Sequence, residues 1–376
     1  MIDIRGLAWR VIRPIDPALL AIIAGILGFA YIVMMSASPD RMSSHLTNII
    51  VSLLVMWLVA TQEPQKLQNI AVPLYVVGFL LLVAVALFGD VSKGARRWLN
   101  IGVARIQPSE LMKIAMPLML AWYFQKREGV LKVRDFFVAI FILMLPVALI
   151  AKQPDLGTAI LVLGAGFFVI FFAGLSWWLI VPAGVLGAVA VAGVIMYQSQ
   201  ICAPEVQWPG LHDYQKHRVC TLLDPSSDPR GKGFHTIQST IAVGSGGMIG
   251  KGWRNGTQTH LDFLPERHTD FVLAVVSEEF GLAGVLLLLV LYCLLIGRGL
   301  LIANSAPTLF ARLLGGSITM IFFTYVFVNM GMVSGILPVV GVPLPMVSYG
   351  GTALLTLCFG VGILMSIKHQ RRRVPR

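Results

Sequence analysis

The chain has 376 residues, of which 57% are hydrophobic and only 12% are charged. A soluble domain of this length would carry about twice that charged fraction, so the composition excludes a soluble enzyme or binding domain. The net charge of +11 does not indicate a nucleic-acid-binding protein, because Lys and Arg lie mainly in short stretches between apolar runs, as topology signals and lipid contacts do.

Apolar runs long enough to cross a bilayer recur from one end of the chain to the other. The first run follows Arg5, Arg10 and Arg13. We interpret it as an uncleaved span, because a run of about twenty residues exceeds the apolar core of a signal peptide. The pattern predicts about ten spans. They lie at about residues 17–36, 47–60, 70–88, 108–124, 136–151, 158–172, a seventh that ends near 197, 271–296, 310–332 and 352–367.

These runs predict an all-α integral membrane protein, a bundle of about ten transmembrane helices, since they are too long for barrel strands. We expect a single polytopic membrane domain over residues 1–376, with one long extracytoplasmic loop at 198–269. Most Lys and Arg residues of the short loops fall on the side of the termini. Both termini are therefore expected to be cytoplasmic, and the long loop to lie outside.

The long loop is too apolar in places to be disordered. Its stretches YQKHRVCTLL and HTIQSTIAVGSGGMIG predict short helices lying on a surface. The motif GSGGMIGKG resembles a phosphate-binding loop, but Gly252 stands where Ser or Thr should follow the lysine, and no strand precedes the motif. This argues against nucleotide binding. The cysteines and histidines lack metal-ligand spacing.

Three clusters of polar and ionisable residues fall on the predicted outer side. Ionisable groups at membrane depth are costly, so each cluster is a candidate functional site. The basic residues Lys93, Arg96 and Arg97 suit a pyrophosphate group, or equally a lipid headgroup. The clusters are Arg96, Arg97, Arg105, Glu110 and Lys113; Lys152, Gln153, Pro154 and Asp155; and Glu266, Arg267, His268 and Asp270.

Each cluster also has a purely structural interpretation. Glu110 and Lys113 are three residues apart on one helix face, so they could form an ion pair that closes one end of the bundle. Asp155 could be a turn and cap residue. Asp270 precedes a long apolar run, where Asp is a favoured N-cap.

Five separated stretches closely resemble the SEDS family of cell-wall polymerases, and the resemblance covers nearly the whole chain. The FLPERHTDF stretch and the short N-terminus are more similar to the elongation branch of the family than to its division branch. The five stretches are KGARRWLNIGVARIQPSE, KQPDLGT, LLDPSSDPRGKGFHTIQSTIAVGSGGMIGKGW, FLPERHTDF and GILPVVGVPLPMVSYGG.

The resemblance implies a peptidoglycan glycosyltransferase that polymerises lipid II, a lipid-linked disaccharide-peptide, at the outer face of the bacterial inner membrane during cell elongation. The implied partners are lipid II, the polyprenyl-linked glycan strand and a class B penicillin-binding protein that supplies the transpeptidase. Asp270 matches the family's catalytic aspartate, and three further residues match its QPSE-x-x-K and QPDLG motifs: Glu110, Lys113 and Asp155. The candidate substrate-binding residues are Glu110, Lys113, Arg96, Arg97, Asp155, Glu266 and His268.

The implied reaction transfers a sugar from an α-linked pyrophosphate to the 4-hydroxyl of another sugar, which gives a β-1,4 link. Inversion needs a base for the hydroxyl proton and positive charge for the leaving pyrophosphate. Asp270 is our candidate base. No cofactor is certain; a divalent cation could do the leaving-group work, although the sequence shows no ligand set.

Two other functions compete with the polymerase. A flippase for the lipid-linked precursor would need ionisable groups near the bilayer midplane, and only Glu278 and Glu279 favour it. We expect one of these two to face the bundle interior and bond to backbone or hydroxyl groups. A scaffold that only positions a partner is the third reading, and a division-type paralogue is the alternative within the family. Cys202 and Cys220 could form a disulfide in an oxidising periplasm or remain free thiols.

Overall fold

The computed structural model describes most of the chain. Arg5, Arg10 and Lys93 lie outside the described residues. The described residues are 13–92, 95–100, 105–129, 131–203, 205–206, 208, 213–228, 231–261 and 266–371.

Helices account for most of the described residues, and short 3₁₀ turns occur at Pro39–Arg41 and Pro225–Ser227. The helices are α1 Pro17–Ala37, α2 Met42–Ala60, α3 Pro64–Phe88, α4 Pro108–Lys126, α5 Val133–Lys152, α6 Leu156–Phe172, α7 Trp177–Met196, α8 Gln198–Ile201, α9 Asp213–Leu223, α10 Lys232–Ser245, α11 Thr257–His260, α12 Val272–Asn304, α13 Leu309–Val333 and α14 Gly351–Arg371.

The predicted all-α membrane fold is confirmed. Within the described residues, 8 helical segments are long and apolar enough to cross a membrane, and α4 and α6 complete the set of long helices. The predicted starts of the second and third spans, near Thr47 and Ile70, were late. Helices α2 and α3 begin at Met42 and Pro64, about one and a half turns earlier, because hydropathy undervalues their polar first turns, and Pro64 is well suited to the first helical position.

A small antiparallel sheet, which the sequence analysis did not predict, precedes α4. Its described strands are β1 Asp90–Ser92, β2 Ala95–Asn100 and β3 Arg105–Ile106, in the order β1-β2-β3. Leu99 lies opposite Ile106, and Asn100 lies opposite Arg105. β1 and β3 are too short to show an alternation of apolar and polar residues, and the six residues of β2, ARRWLN, do not alternate, which is why the segment was interpreted as a loop.

The described chain divides into two compact units, and the first comprises Met1–Ala173, Leu288–Val326 and Pro345–Arg376. Within it, α4 packs against α3, α6 and α14. Met112, Met116 and Leu120 of α4 are fully buried. Because its neighbours enclose it, α4 can carry ionisable residues at its ends that a lipid-facing helix could not.

The second unit comprises Gly174–Leu287 and Phe327–Leu344. Both helices predicted in the long loop are present, as α9 and α10, and a disulfide joins Cys202 to Cys220. Ser239 on α10 donates to the carbonyl of Val333 at 3.0 Å, which ties α10 to the end of α13. None of the side chains of α7, all of which are described, is buried, as expected for an apolar helix that contacts lipid.

Candidate active site

A buried ion pair lies at the N-terminal end of α4. Pro108 starts the helix, where its missing N–H is not needed, and Glu110 follows in the first turn. The Nζ of Lys113 lies 2.5 Å from Oε1 of Glu110. Only 3% of the Lys113 side chain and 16% of the Glu110 side chain are exposed. The expectation that these two residues can pair is confirmed.

Two hydroxyl groups that the sequence analysis missed complete this cluster. Lys113 donates to the phenol oxygen of Tyr325 on α13 at 2.5 Å. Thr356 on α14 donates to Oε2 of Glu110 at 3.4 Å. A buried ammonium is stable only with such partners, so the cluster joins α4 to α13 and α14. The available signal was a hydroxyl group in an otherwise apolar span.

A second polar cluster forms around the turn between α5 and α6. Asp155 caps α6, accepting from the backbone N–H of Thr158 at 3.3 Å, so its predicted capping role is confirmed. Its other oxygen accepts from Nε2 of Gln107 at 2.9 Å. Arg97 on β2 donates to the carbonyl of Pro154. The sheet, the start of α4 and the start of α6 therefore meet at one end of the first unit.

The remaining basic candidates are less closely tied to this end. Lys152 is exposed at the end of α5, and Arg105 is exposed on β3. Arg96 lies on β2 opposite Val91, but its side chain falls outside the described part of the structure. Of the basic residues proposed for pyrophosphate, Arg97 and Lys113 are the two whose contacts the structure describes.

Asp270 lies in the second unit, two residues before α12 begins. Its side chain is half-buried. The amide of Asn329 on α13 donates to the main-chain carbonyl of Asp270 at 2.9 Å and to that of Val342 at 2.7 Å. Asn329 is fully buried, so this one side chain fixes the backbone of Asp270 against the loop that follows α13.

Gly341 in that loop comes close to the carboxylate. A Cβ at Gly341 would lie 3.3 Å from Oδ2 of Asp270, and the φ of Gly341 is +75°, a conformation that favours glycine. The missing side chain thus keeps space beside the carboxylate. The sequence analysis missed Asn329, although an amide inside an apolar span was a signal.

The residues before Asp270 form a compact turn. The hydroxyl of Thr269 donates to the carboxylate of Glu266 at 3.0 Å, and the N–H of Phe271 donates to the Glu266 carbonyl at 3.3 Å. Arg267 donates to the carbonyl of Thr259 at 2.6 Å. His268 is half-buried in the same turn. Glu266 and His268 therefore lie in the same turn as Asp270.

Glu278, one of the two deeper carboxylates, is fully buried and accepts hydrogen bonds from several donors. Lys251 donates to Oε1 at 2.7 Å, and the backbone N–H groups of Gln258 and Thr259 donate at 2.9 and 3.2 Å. The hydroxyls of Thr257 and Thr259 donate at 3.0 and 3.1 Å. The prediction that one of the pair bonds to backbone and hydroxyl groups is confirmed.

Each unit, taken by itself, holds side chains of a kind that an inverting group transfer uses. The second unit holds a carboxylate on a fixed backbone, partly open to solvent. The first unit holds a buried cation and an arginine at one end of its bundle. A carboxylate can take a proton from a hydroxyl group, and cationic groups can neutralise charge that develops on a leaving group.

The chain is similar to known proteins over nearly its whole length. A family model described as "Cell cycle protein", and named for FtsW, RodA and SpoVE, matches residues 17–373. Peptidoglycan glycosyltransferase MrdB of Escherichia coli K12 is 48% identical over 365 residues, which is 96% of this chain and 95% of MrdB. Stage V sporulation protein E of Bacillus subtilis 168 is 37% identical over 80% of this chain and 79% of that protein.

Solved structures share the fold. A chain from a structure of a peptidoglycan synthase complex, described as showing coordination of polymerization and crosslinking, has a TM-score of 0.77 at 33% identity, covering 96% of this chain and 99% of that chain. The rod shape determining protein RodA of Thermus thermophilus has a TM-score of 0.68 at 28% identity, covering 96% and 98%. The chain therefore belongs to the family of FtsW, RodA and SpoVE, the SEDS family that its motifs resemble.

Proposed function

We propose that this chain is a peptidoglycan glycosyltransferase that polymerises lipid II by an inverting β-1,4 transfer during cell elongation. The observation that carries the proposal is the similarity to Escherichia coli MrdB, at 48% identity over 96% of the chain. The similarity to an FtsW relative from Geobacter metallireducens is lower, at 37% over 79% of the chain. This difference favours the elongation role over the division role.

Asp270 is the proposed general base. Its carboxylate would accept the proton of the acceptor 4-hydroxyl while that oxygen attacks the anomeric carbon and the pyrophosphate leaves. A base must be held within hydrogen-bonding distance of its substrate, and Asn329 fixes the Asp270 backbone. The half-buried position supports this role, because part of the residue remains exposed.

Positive charge for the leaving pyrophosphate is assigned to the first unit. Arg97, with Arg96 beside it on β2, offers the forked geometry that suits phosphate oxygens. Lys113 is engaged by Glu110 and Tyr325, so we assign it the role of holding Glu110 and the start of α4 in place. A divalent cation is the alternative source of this charge, and loss of polymerisation on chelation would reveal it.

The remaining parts of the proposal concern topology and partners. The Lys and Arg asymmetry supports cytoplasmic termini, and in this proposed topology Asp270 would lie at the outer face of the inner membrane. A class B penicillin-binding protein is the proposed partner, since the similar chain at TM-score 0.77 comes from a peptidoglycan synthase complex. The flippase alternative loses part of its support, because Glu278, one of its two candidate carboxylates, is bonded to Lys251 and to backbone N–H groups.

Reconstitution with fluorescent lipid II tests the proposal. The wild-type chain, with its partner if needed, should form glycan strands, and Asp270→Asn should form none while folding normally. The matched control is Asp40→Asn, which changes an exposed carboxylate and should leave polymerisation unchanged. Normal polymerisation by Asp270→Asn would rule out Asp270 as the base, and translocation of lipid II without strand formation would favour the flippase.

A further inference from the structure

The segment 246–253, which follows α10, exposes its largest apolar side chains. Met248 is 71% exposed, Ile249 is 83% exposed and Trp253 is 43% exposed. The segment turns sharply, with positive φ at Gly247, Gly250 and Gly252. In water, such a tip would expose apolar surface at a cost in free energy.

The backbone of this segment hydrogen-bonds to the backbone of α12 at a break in that helix. In an unbroken helix the N–H groups of Leu282 and Ala283 would donate to the carbonyls of Glu278 and Glu279. Here Gly281 has non-helical dihedrals (φ 63°, ψ −161°). Leu282 and Ala283 donate to the carbonyls of Gly247 and Met248 at 2.9 and 3.1 Å.

The two helix carbonyls that the break releases find partners in the same segment. The backbone N–H of Lys251 donates to the main-chain carbonyl of Glu278 at 2.9 Å, and the backbone N–H of Gly252 donates to that of Glu279 at 3.0 Å. The segment therefore provides hydrogen-bond partners for the N–H groups and for the carbonyls that the break in α12 leaves unpaired within the helix. Side chains at Gly246 and Gly250 would overlap the carbonyls of Ser277 and Glu279, so only glycine permits this approach.

The segment contacts α12 at the point along the helix where its residues change from buried to exposed. Every residue from Val272 to Glu279 is buried, whereas Leu282, Leu286 and Leu287 are 44%, 51% and 52% exposed. The helix has 33 residues, so at about 1.5 Å per residue it is longer than the hydrocarbon core of a bilayer, which is roughly 30 Å thick. The buried first turns of α12 can thus lie outside the hydrocarbon core, and the break in the helix can lie at the edge of that core.

We propose that segment 246–253 is a re-entrant loop whose tip, Met248 and Ile249, inserts into the acyl chains of the outer leaflet. The tip continues the lipid-facing surface that Leu282 and Leu286 begin on α12. Irregular backbone is tolerated at membrane depth only when its polar groups are satisfied. The hydrogen bonds to α12 satisfy four backbone groups of the segment, two carbonyls and two N–H groups. The outer leaflet assignment rests on the proposed topology.

The flanking charges fit this position. Lys251 is paired with Glu278 at 2.7 Å, so its charge is compensated at the edge of the hydrocarbon. The Arg254 guanidinium lies 4.9 Å from the centre of the Trp253 ring. Trp and Arg are both suited to the headgroup level. The loop would thereby set the depth of the buried part of α12 and of Asp270 above it.

Site-directed fluorescence quenching in proteoliposomes tests the insertion. Bimane is attached to Met248→Cys or Ile249→Cys in a Cys293→Ser background, since Cys293 is the exposed free thiol of the described chain. Leu286→Cys, on the lipid-facing side of α12, is the control for acyl contact. Ser226→Cys, which is exposed in the polar part of the long loop, is the control for water.

Labels at 248 and 249 should be quenched by acyl-brominated lipids as strongly as the label at 286, and by iodide several-fold less than the label at 226. Iodide quenching equal to that at 226 would overturn the proposal in favour of a water-exposed loop. Protection from both quenchers would overturn it in favour of a protein partner or a second copy. The assay needs no polymerisation, so failure of the proposed function would leave its outcome unaffected.

Discussion

The ammonium of Lys113 lies 2.5 Å from the phenol oxygen of Tyr325, although the two residues are 212 positions apart in the chain. Both side chains are buried. The contact fixes the start of α4, with Glu110, against α13. Hydrogen bonds are directional, so this cluster helps to specify how the helices of the first unit align.

Replacing Lys113 with Met should destabilise the protein by about 3 kcal/mol, because Glu110 is left without its cation. The thermal unfolding temperature in detergent should fall, and polymerisation should fall with it. Lys66→Met, which removes an exposed lysine, is the matched control and should change neither. Adding Glu110→Gln to Lys113→Met should recover most of the lost stability; a double variant as unstable as the single would contradict the pairing argument.

Asn329→Ala should slow polymerisation by about 10- to 100-fold, because the backbone of Asp270 loses its fixed position. The loss should appear in kcat more than in KM, since a misplaced base affects the chemical step more than substrate binding. Asn304→Ala, at an exposed amide on the end of α12, is the control. A fall in unfolding temperature with unchanged kcat would show that Asn329 serves the fold alone.

One guanidinium nitrogen of Arg298 on α12 lies 2.6 Å from Oδ2 of Asp16, which precedes α1, and this ion pair should make stability depend on acid pH. Burial alone would raise the pKa of Asp16, but hydrogen bonds from Arg298 and from the Leu19 N–H, with the Arg298 charge, bring that pKa below its ordinary value. Stabilisation is therefore full above the unfolded pKa, near 3.9, and is lost as pH falls through the lower folded pKa.

Thermal unfolding in detergent between neutral and acid pH measures this effect. Asp16→Asn should be less stable than wild type at neutral pH, and the difference should shrink as pH falls. Asp40→Asn, at an exposed carboxylate, should follow the wild-type curve. A difference that is constant across this range would contradict a charged Asp16.

Removing the disulfide should loosen one part of the long loop. The bond closes a loop between residues 18 positions apart, and loops of this size lose about 3 kcal/mol of stabilisation when opened. Limited proteolysis should then cut faster between α8 and α9, in the Cys202→Ala, Cys220→Ala variant and in wild type treated with reductant. Cys293→Ala should leave the cleavage rate unchanged, and an equal rate in all samples would contradict this role.

Local patterns predicted the features that depend on neighbouring residues. The long apolar helices, the pairing of Glu110 with Lys113 and the capping by Asp155 all follow from spacings of a few residues. The helices α9 and α10 were visible for the same reason.

The features that the sequence did not reveal depend on distant contacts. Asn329 reaches a backbone carbonyl 59 residues away, and no local pattern assigns a partner to a single amide in an apolar span. The hydrogen bonding of segment 246–253 to α12 was missed for a different reason. Its glycine-rich segment was compared with a phosphate-binding motif, whereas its glycines allow close approach to α12.

The polar character of α4 has a consequence for how the protein reaches its membrane. With Glu110 and Lys113 near one end and Lys126 at the other, α4 is not among the 8 described segments that qualify as spans by hydropathy alone. A helix of this kind is poorly retained in lipid by itself. During synthesis we therefore expect it to depend on α3, already in place, and on α6, α13 and α14, which arrive later. Biogenesis of the enzyme is thereby coupled to assembly of the polar cluster on which we propose that its catalysis depends.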